Sequence, residues 1–152
     1  MQTSELQGHA LDWAVDKAEG GSAPTNPEHL RSYLLSLDED ARWDTLCKYT
    51  PGDIDTDIMS HADMIEYGLI TWRCPPVSTD WAHGGPIIER ERIEFWTADS
   101  YQDEYGKFTS IKSAKHPASM QHYKGPTPLI AAMRCYVASK LGDTVDIPEE
   151  LT

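Results

Sequence analysis

The sequence predicts an α+β fold: a small antiparallel sheet packed with N- and C-terminal helices, plus a helical insertion at about 22–73. Three observations carry that expectation. Residues 127–142 hold a complete set of helix signals. Residues 8–18 repeat apolar positions at helical spacing. Residues 87–96, IIERERIEFW, alternate with the period of a strand.

The C-terminal helix is the clearest element. Thr127 suits an N-cap, Pro128 suits the first helical position, and Gly142 ends the run. Leu129, Ile130, Met133, Val137 and Leu141 form an apolar face, while Ala131, Cys135 and Ala138 make the opposite side small. A helix apolar or small all round is expected to be buried. Arg134 stands out on it, because a buried guanidinium needs a partner. A carboxylate is the common answer, and a bound anion is the sharper one.

Near the N-terminus, HALDWAVDKAEGG reads as a short helix stopped by Gly20 and Gly21, with Ala10, Leu11, Ala14, Val15 and Ala18 on one face. Trp13 falls off that face, and packing on a neighbouring element is its ordinary role. GGSAPTNP, residues 20–27, is a loop ending in an Asn26 cap and a first-turn proline. PEHLRSYLLSL and DEDARWDTLCKY follow as helices, the second opening with acids that suit a helix N-terminus. Thr50-Pro51-Gly52 turns into a third helical piece, DIMSHADMIEY. LITWR, residues 69–73, reads as a strand, and FTSIK, residues 108–112, as a third one. The remainder of 97–125 reads as a long loop.

At 152 residues one domain, 1–152, is the simplest organisation, long enough to bury a core without staples. No apolar run is long enough for a membrane helix, and MQTSELQGHALDW lacks the basic start of a signal peptide. Cys47, Cys74 and Cys135 are odd in number and far apart, which argues against a disulfide framework or structural zinc. The net charge of −12 leaves no global field to attract nucleic acid, so none is expected as a direct partner. Residues 1–73 carry 14 acids against 5 bases; residues 74–152 carry 11 against 8, mild enough to host a local anion site.

The chemical motifs mostly fail. Asp53, Asp55 and Asp57 have calcium-loop spacing, but Ile58 and Met64 stand where the loop needs Gly and Glu. No HExxH, G-x-S-x-G, Walker A or G-x-G-x-x-G occurs. No cofactor or metal is expected, and catalysis is unsupported.

What remains is STDWAHGGPIIERER, residues 78–92. Gly84-Gly85 could let amide N–H groups converge on an anion, with Pro86 stiffening the exit. Trp81 offers a stacking face, and His83 a hydrogen-bonding ring beside Asp80. Arg90 and Arg92 would share a strand face and grip phosphate, with Arg134 as a further cation. The bland alternative is a tight turn into an edge strand, with Trp81 in the core and the arginines paired to local glutamates.

LQGHALDWAVDKAEG, STDWAHGGPIIERERI and GPTPLIAAMRCYVASKLGDTVDIPEEL resemble the NinX-like proteins of tailed bacteriophages, a domain family of unknown function. Residues from about 22 to 77 look like an insertion relative to shorter members. The resemblance implies a phage origin, an accessory role and the cytoplasm of the infected bacterium. It carries over no catalytic residue.

The leading expectation is therefore a non-catalytic binder of a small, nucleotide-like anion, through Asp80, Trp81, His83, Gly84, Gly85, Arg90, Arg92 and Arg134, with sequestration of a host defence signal as its purpose. One alternative is an acidic protein that binds and inhibits a basic host protein through residues 38–66, where nine acids face two bases. Another is a phosphoester or glycosidic-bond hydrolase with His83 as base. The small side of the last helix and Trp13 suggest a homodimer.

Overall fold

The computed structural model describes residues 1–21, 27–49, 60, 62–63, 65–66 and 74–152. The fold is α+β, a three-stranded antiparallel sheet packed against the C-terminal helix, with further helices around it. The described α-helices are α1 (Gly8–Ala18), α2 (Pro27–Ser36), α3 (Glu39–Tyr49), α4 (Trp81–Glu91) and α5 (Pro128–Leu141). The strands are β1 (Glu94–Gln102), β2 (Phe108–Lys115) and β3 (His122–Gly125), in that order across the sheet.

Helix α5 is the centre of the molecule and packs against all three strands, α1 and α4. Its expected caps are in place: the Thr127 hydroxyl accepts from Ile130 N–H at 3.2 Å, and Gly142 takes a positive φ of 92°. Residues Ala131 to Val137 are all buried, which accounts for a helix with no charged side. Leu6, Leu11, Val15, Ile87, Ile88, Met133 and Tyr136 belong to the core it organises. The first residues close this core from the other end. Thr3 N–H donates to Asp143 O, its hydroxyl to Gly142 O, and the Met1 ammonium to Val145 O, each at 2.8 Å.

Helix α1 presents the expected face, and Trp13 packs part-buried against the same core, with Lys17 Nζ 4.9 Å from its ring centre. Helices α2 and α3 make a smaller cluster of Leu30, Leu34 and Leu46 with Ile65. Of the expected third helical piece, Ala62, Asp63, Ile65 and Glu66 are helical. The Asn26 cap, the 50–52 turn, the acidic triplet at 53, 55 and 57 and the strand at 69–73 lie outside the described residues.

Two sequence assignments are corrected. Residues 87–91 belong to helix α4, and the strand begins only at Glu94. Ile87 and Ile88 are both buried, which neighbours on a strand with one covered face could not be. The 97–125 region is a hairpin and a third strand rather than a long loop. Asp103 organises the hairpin turn, its carboxylate accepting from Tyr105 N–H at 2.9 Å and Lys107 N–H at 2.8 Å. Strand β1 is exposed along its whole length, so burial never imposed an apolar alternation on it.

Candidate functional site

The segment 78–92 forms the start and body of α4, and its side chains are largely committed to one another. Asp80 is the N-cap: its carboxylate accepts from Ala82 N–H and lies 2.9 Å from His83 Nδ1. The Ala82 amide, and after it His83, holds this carboxyl below its ordinary value. Gly84 and Gly85 are helical, and Gly84 N–H donates to Asp80 O at 2.9 Å. They form no glycine turn, so the amide cradle expected there is absent. Trp81 is half exposed and its ring lies 5.9 Å from that of Phe95.

Arg90 does not share a strand face with Arg92. It crosses to α1 and donates to the Glu19 carboxylate through both Nη atoms, at 3.1 and 2.6 Å, and to Glu91 at 3.1 Å. The Arg90 hydrogen bonds lower the Glu19 pKa, and the same pairing raises that of Arg90. Arg92 is exposed and ends α4 in the left-handed region at φ 56°. Ile93 N–H bonds Ile88 O and Arg92 N–H bonds Glu89 O, the pattern of a Schellman stop.

His83 and Arg90 do line one groove, of about 250 Å³, between α1 and α4. Asp12, Asp16, Glu19 and Lys48 line it too. Asp16 accepts from the Tyr49 hydroxyl at 2.7 Å and pairs with Lys48 at 3.3 Å. Asp12 accepts from Ser78 N–H at 2.9 Å, and burial raises its pKa. This groove holds more acid than base and suits an anion poorly.

Below it, Glu91 gathers Arg90, His116 and Lys140 at 3.1, 3.2 and 3.3 Å. The His116 hydrogen bond is the leading cause that takes its carboxyl down to about 2 from an ordinary 4.5. A depressed folded-state pKa stabilises the fold above the unfolded value and is lost as pH falls through the folded one. Glu91→Gln should therefore be less stable than the parent at pH 7, with the gap closing between about pH 4.5 and 2. Urea midpoints across that range check it; a gap independent of pH would mean that Glu91 acts only by packing.

Arg134 lies elsewhere. It is 8% exposed on α5 and meets no carboxylate among the described residues. Its Nε donates to Leu6 O at 2.7 Å and its Nη1 to Lys124 O at 2.6 Å. The guanidinium thus ties the N-terminal segment and β3 to α5, and burial lowers its pKa. Neither a salt bridge nor a shared site with Trp81 accounts for it. It lines an open groove of about 830 Å³ with Gln2, Ser4, Tyr101, His122 and Lys124. Tyr123 and Asp143 also border this groove and hydrogen-bond each other, and burial pushes the Tyr123 phenol up to about 12. The groove arises because β3 pairs only with Lys112–Lys115 of β2, which leaves Thr109, Ser110 and Ile111 beside an open edge.

Nucleophilic chemistry has little support. Burial pushes the thiols of Cys74 and Cys135 up to about 12 and about 11. Among the described residues no group of three or more His, Cys, Asp or Glu could hold a metal, and no helix is long and apolar enough to cross a membrane.

Taken together, the molecule is a small α+β protein whose sheet and central helix frame a groove with a guanidinium that pairs with no carboxylate among the described residues. The family model described as "Bacteriophage P22, NinX" matches residues 2–140, and the chain belongs to that family. No curated protein matches the chain.

Proposed function

We propose that this phage protein is a non-catalytic binder of a small, nucleotide-like anion, acting in the cytoplasm of the infected bacterium. Sequestration of a host nucleotide signal would give such binding a purpose. The observation that carries the reading is Arg134: a nearly buried guanidinium, bonded among the described residues only to backbone carbonyls, at the wall of a groove of nucleotide size. A cation held in low dielectric without a carboxylate attracts an anion more strongly than a solvated one does. Two hydrogen bonds use part of its five-donor fork, and the remaining N–H groups are left for phosphate oxygens. Lys124 adds a second cation, and Ser4, Gln2 and Gln121 supply neutral polar partners.

This moves the anion site away from residues 80–92, where Arg90 and His83 already have carboxylate partners. Calorimetry and thermal shift against mono-, di- and cyclic nucleotides test the proposal. A ligand at 100 times its dissociation constant should stabilise the fold by about 2.7 kcal/mol. Lys124→Ala should weaken that binding, and Arg90→Ala should leave it unchanged. A panel that gives no shift at millimolar concentration rejects the small-ligand reading.

A further inference from the structure

The strands hold a second feature that the small-ligand reading does not use. From Tyr105 to Gly142 the chain contains no Asp or Glu, yet it carries six of the 13 Lys and Arg residues: Lys107, Lys112, Lys115, Lys124, Arg134 and Lys140. In a chain with 25 acids this is a pronounced segregation of charge, and it coincides with β2, β3 and α5.

The sheet has one covered and one open face. Ala114 and Tyr123 are paired neighbours, both buried in the core, and a Cβ on Gly125 would lie 2.8 Å from Ala131 N, so this face lies against α5. The register puts Trp96, Ser113 and Lys124 together on the opposite face, where Ser113 itself is buried, with Glu94 opposite Lys115 and Asp99 opposite Ile111 on the same side. Tyr101 pairs with Thr109, and Thr109 and Ser113 point the same way, four residues apart on β2. Trp96 and Tyr101 are five residues apart, and on a regular strand that would put them on opposite faces. The bulge between Thr97 and Asp99 shifts the register by one and turns both rings to the open side. Trp96 is 38% exposed and Tyr101 51%, and His122 meets the Trp96 ring edge-on at 5.0 Å. Four pair positions separate the two rings, roughly 13 Å along the strand. Tyr101, His122 and Lys124 also line the Arg134 groove, so the open face and the groove are continuous.

We infer that this face binds single-stranded nucleic acid, with bases stacked on Trp96 and Tyr101 and the backbone led past Lys124 into the Arg134 groove. The inference rests on the proposal above for the phosphate position at Arg134. The net charge of the chain argues the other way, and Glu94 and Asp99 share the face with the rings, so base stacking carries the affinity there while Lys124 and Arg134 take the phosphates. Aromatic rings stack any unpaired base, and cations beside them take the phosphates. A duplex offers no free base faces and should bind poorly.

The test is fluorescence anisotropy with labelled dT10, rU10 and a matched duplex, alongside the nucleotide panel. Either single strand should bind at least about tenfold tighter than the duplex. Trp96→Ala and Tyr101→Ala each remove an exposed ring and should weaken single-strand binding by about tenfold. Trp96 does not line the Arg134 groove, so Trp96→Ala should leave mononucleotide affinity unchanged. With about three phosphates neutralised, affinity should fall roughly 20-fold between 50 and 200 mM salt. Equal binding of duplex and single strands, or no loss in both ring variants, overturns the inference. If mononucleotides bind while the oligomers do not, this inference fails and the small-ligand proposal stands. If oligomers bind and mononucleotides do not, the small-ligand proposal fails and this one stands.

Discussion

Arg134→Met should lower the unfolding free energy by about 2–4 kcal/mol, a fall in Tm of roughly 5–15 °C. Methionine matches the length of the arginine stem and keeps the apolar contacts in α5. What it removes are the donors to Leu6 O and Lys124 O, at 2.7 and 2.6 Å. Each buried carbonyl left without a partner costs about 1–3 kcal/mol. Losing a desolvated charge offsets part of that cost. Arg134→Lys separates the contributions. An ammonium keeps the charge but lacks the planar fork that spans two carbonyls, so it should recover part of the stability and little of the anion binding. Chemical denaturation of the three proteins, with and without a nucleotide, reads both effects. A methionine variant as stable as the parent would show that the two carbonyls find other partners.

The adjacent glycines of α4 should respond in opposite directions. A Cβ on Gly84 would stand 2.4 Å from Val77 O and 2.6 Å from Leu129 Cδ2. The first neighbour is backbone, so relief requires α4 to move off the 75–77 segment. Gly84→Ala should cost about 2 kcal/mol, overpacking outweighing the gain in helix propensity. A Cβ on Gly85 meets only Trp81 Cε3, at 3.8 Å. Gly85→Ala should therefore stabilise the protein by up to about 1 kcal/mol. Thermal melts of the two variants decide the matter. If the glycines formed a turn of positive φ around an anion, alanine would be costly at both positions, and Gly85→Ala would also abolish nucleotide binding.

Helix α4 also shows why a strand was expected at 87–96. The sequence signals are strand-like or helix-breaking: two glycines, a proline at 86 and an alternating IIERER. Pro86 gives up one backbone hydrogen bond inside the helix. The helix stands because Ile87 and Ile88 are buried and Gly84 lets the backbone approach α5 and the 75–77 segment. Its stop is equally hidden, since Arg92 rather than glycine takes the left-handed position. The groove at Arg134 left a different trace. Arg134 was conspicuous on an apolar helix, and the acid-free run from 105 to 142 lies open in the sequence. Nothing local joined Tyr101, His122 and Lys124 to it, because β pairing across the hairpin and β3 makes that connection.

The sequence by itself determined the α+β class, the N-terminal helix with its glycine stop, the C-terminal helix with its caps, the burial of α5 and the family. Those follow from short-range periodicity, from capping chemistry and from whole segments that resemble known ones. Only the tertiary structure decided that 81–91 is a helix, that Arg90 serves Glu19, and that Arg134 faces the sheet groove rather than Trp81. These depend on which buried surfaces meet across long sequence separations. The free energy of that burial overrides a local preference worth about 1 kcal/mol per residue.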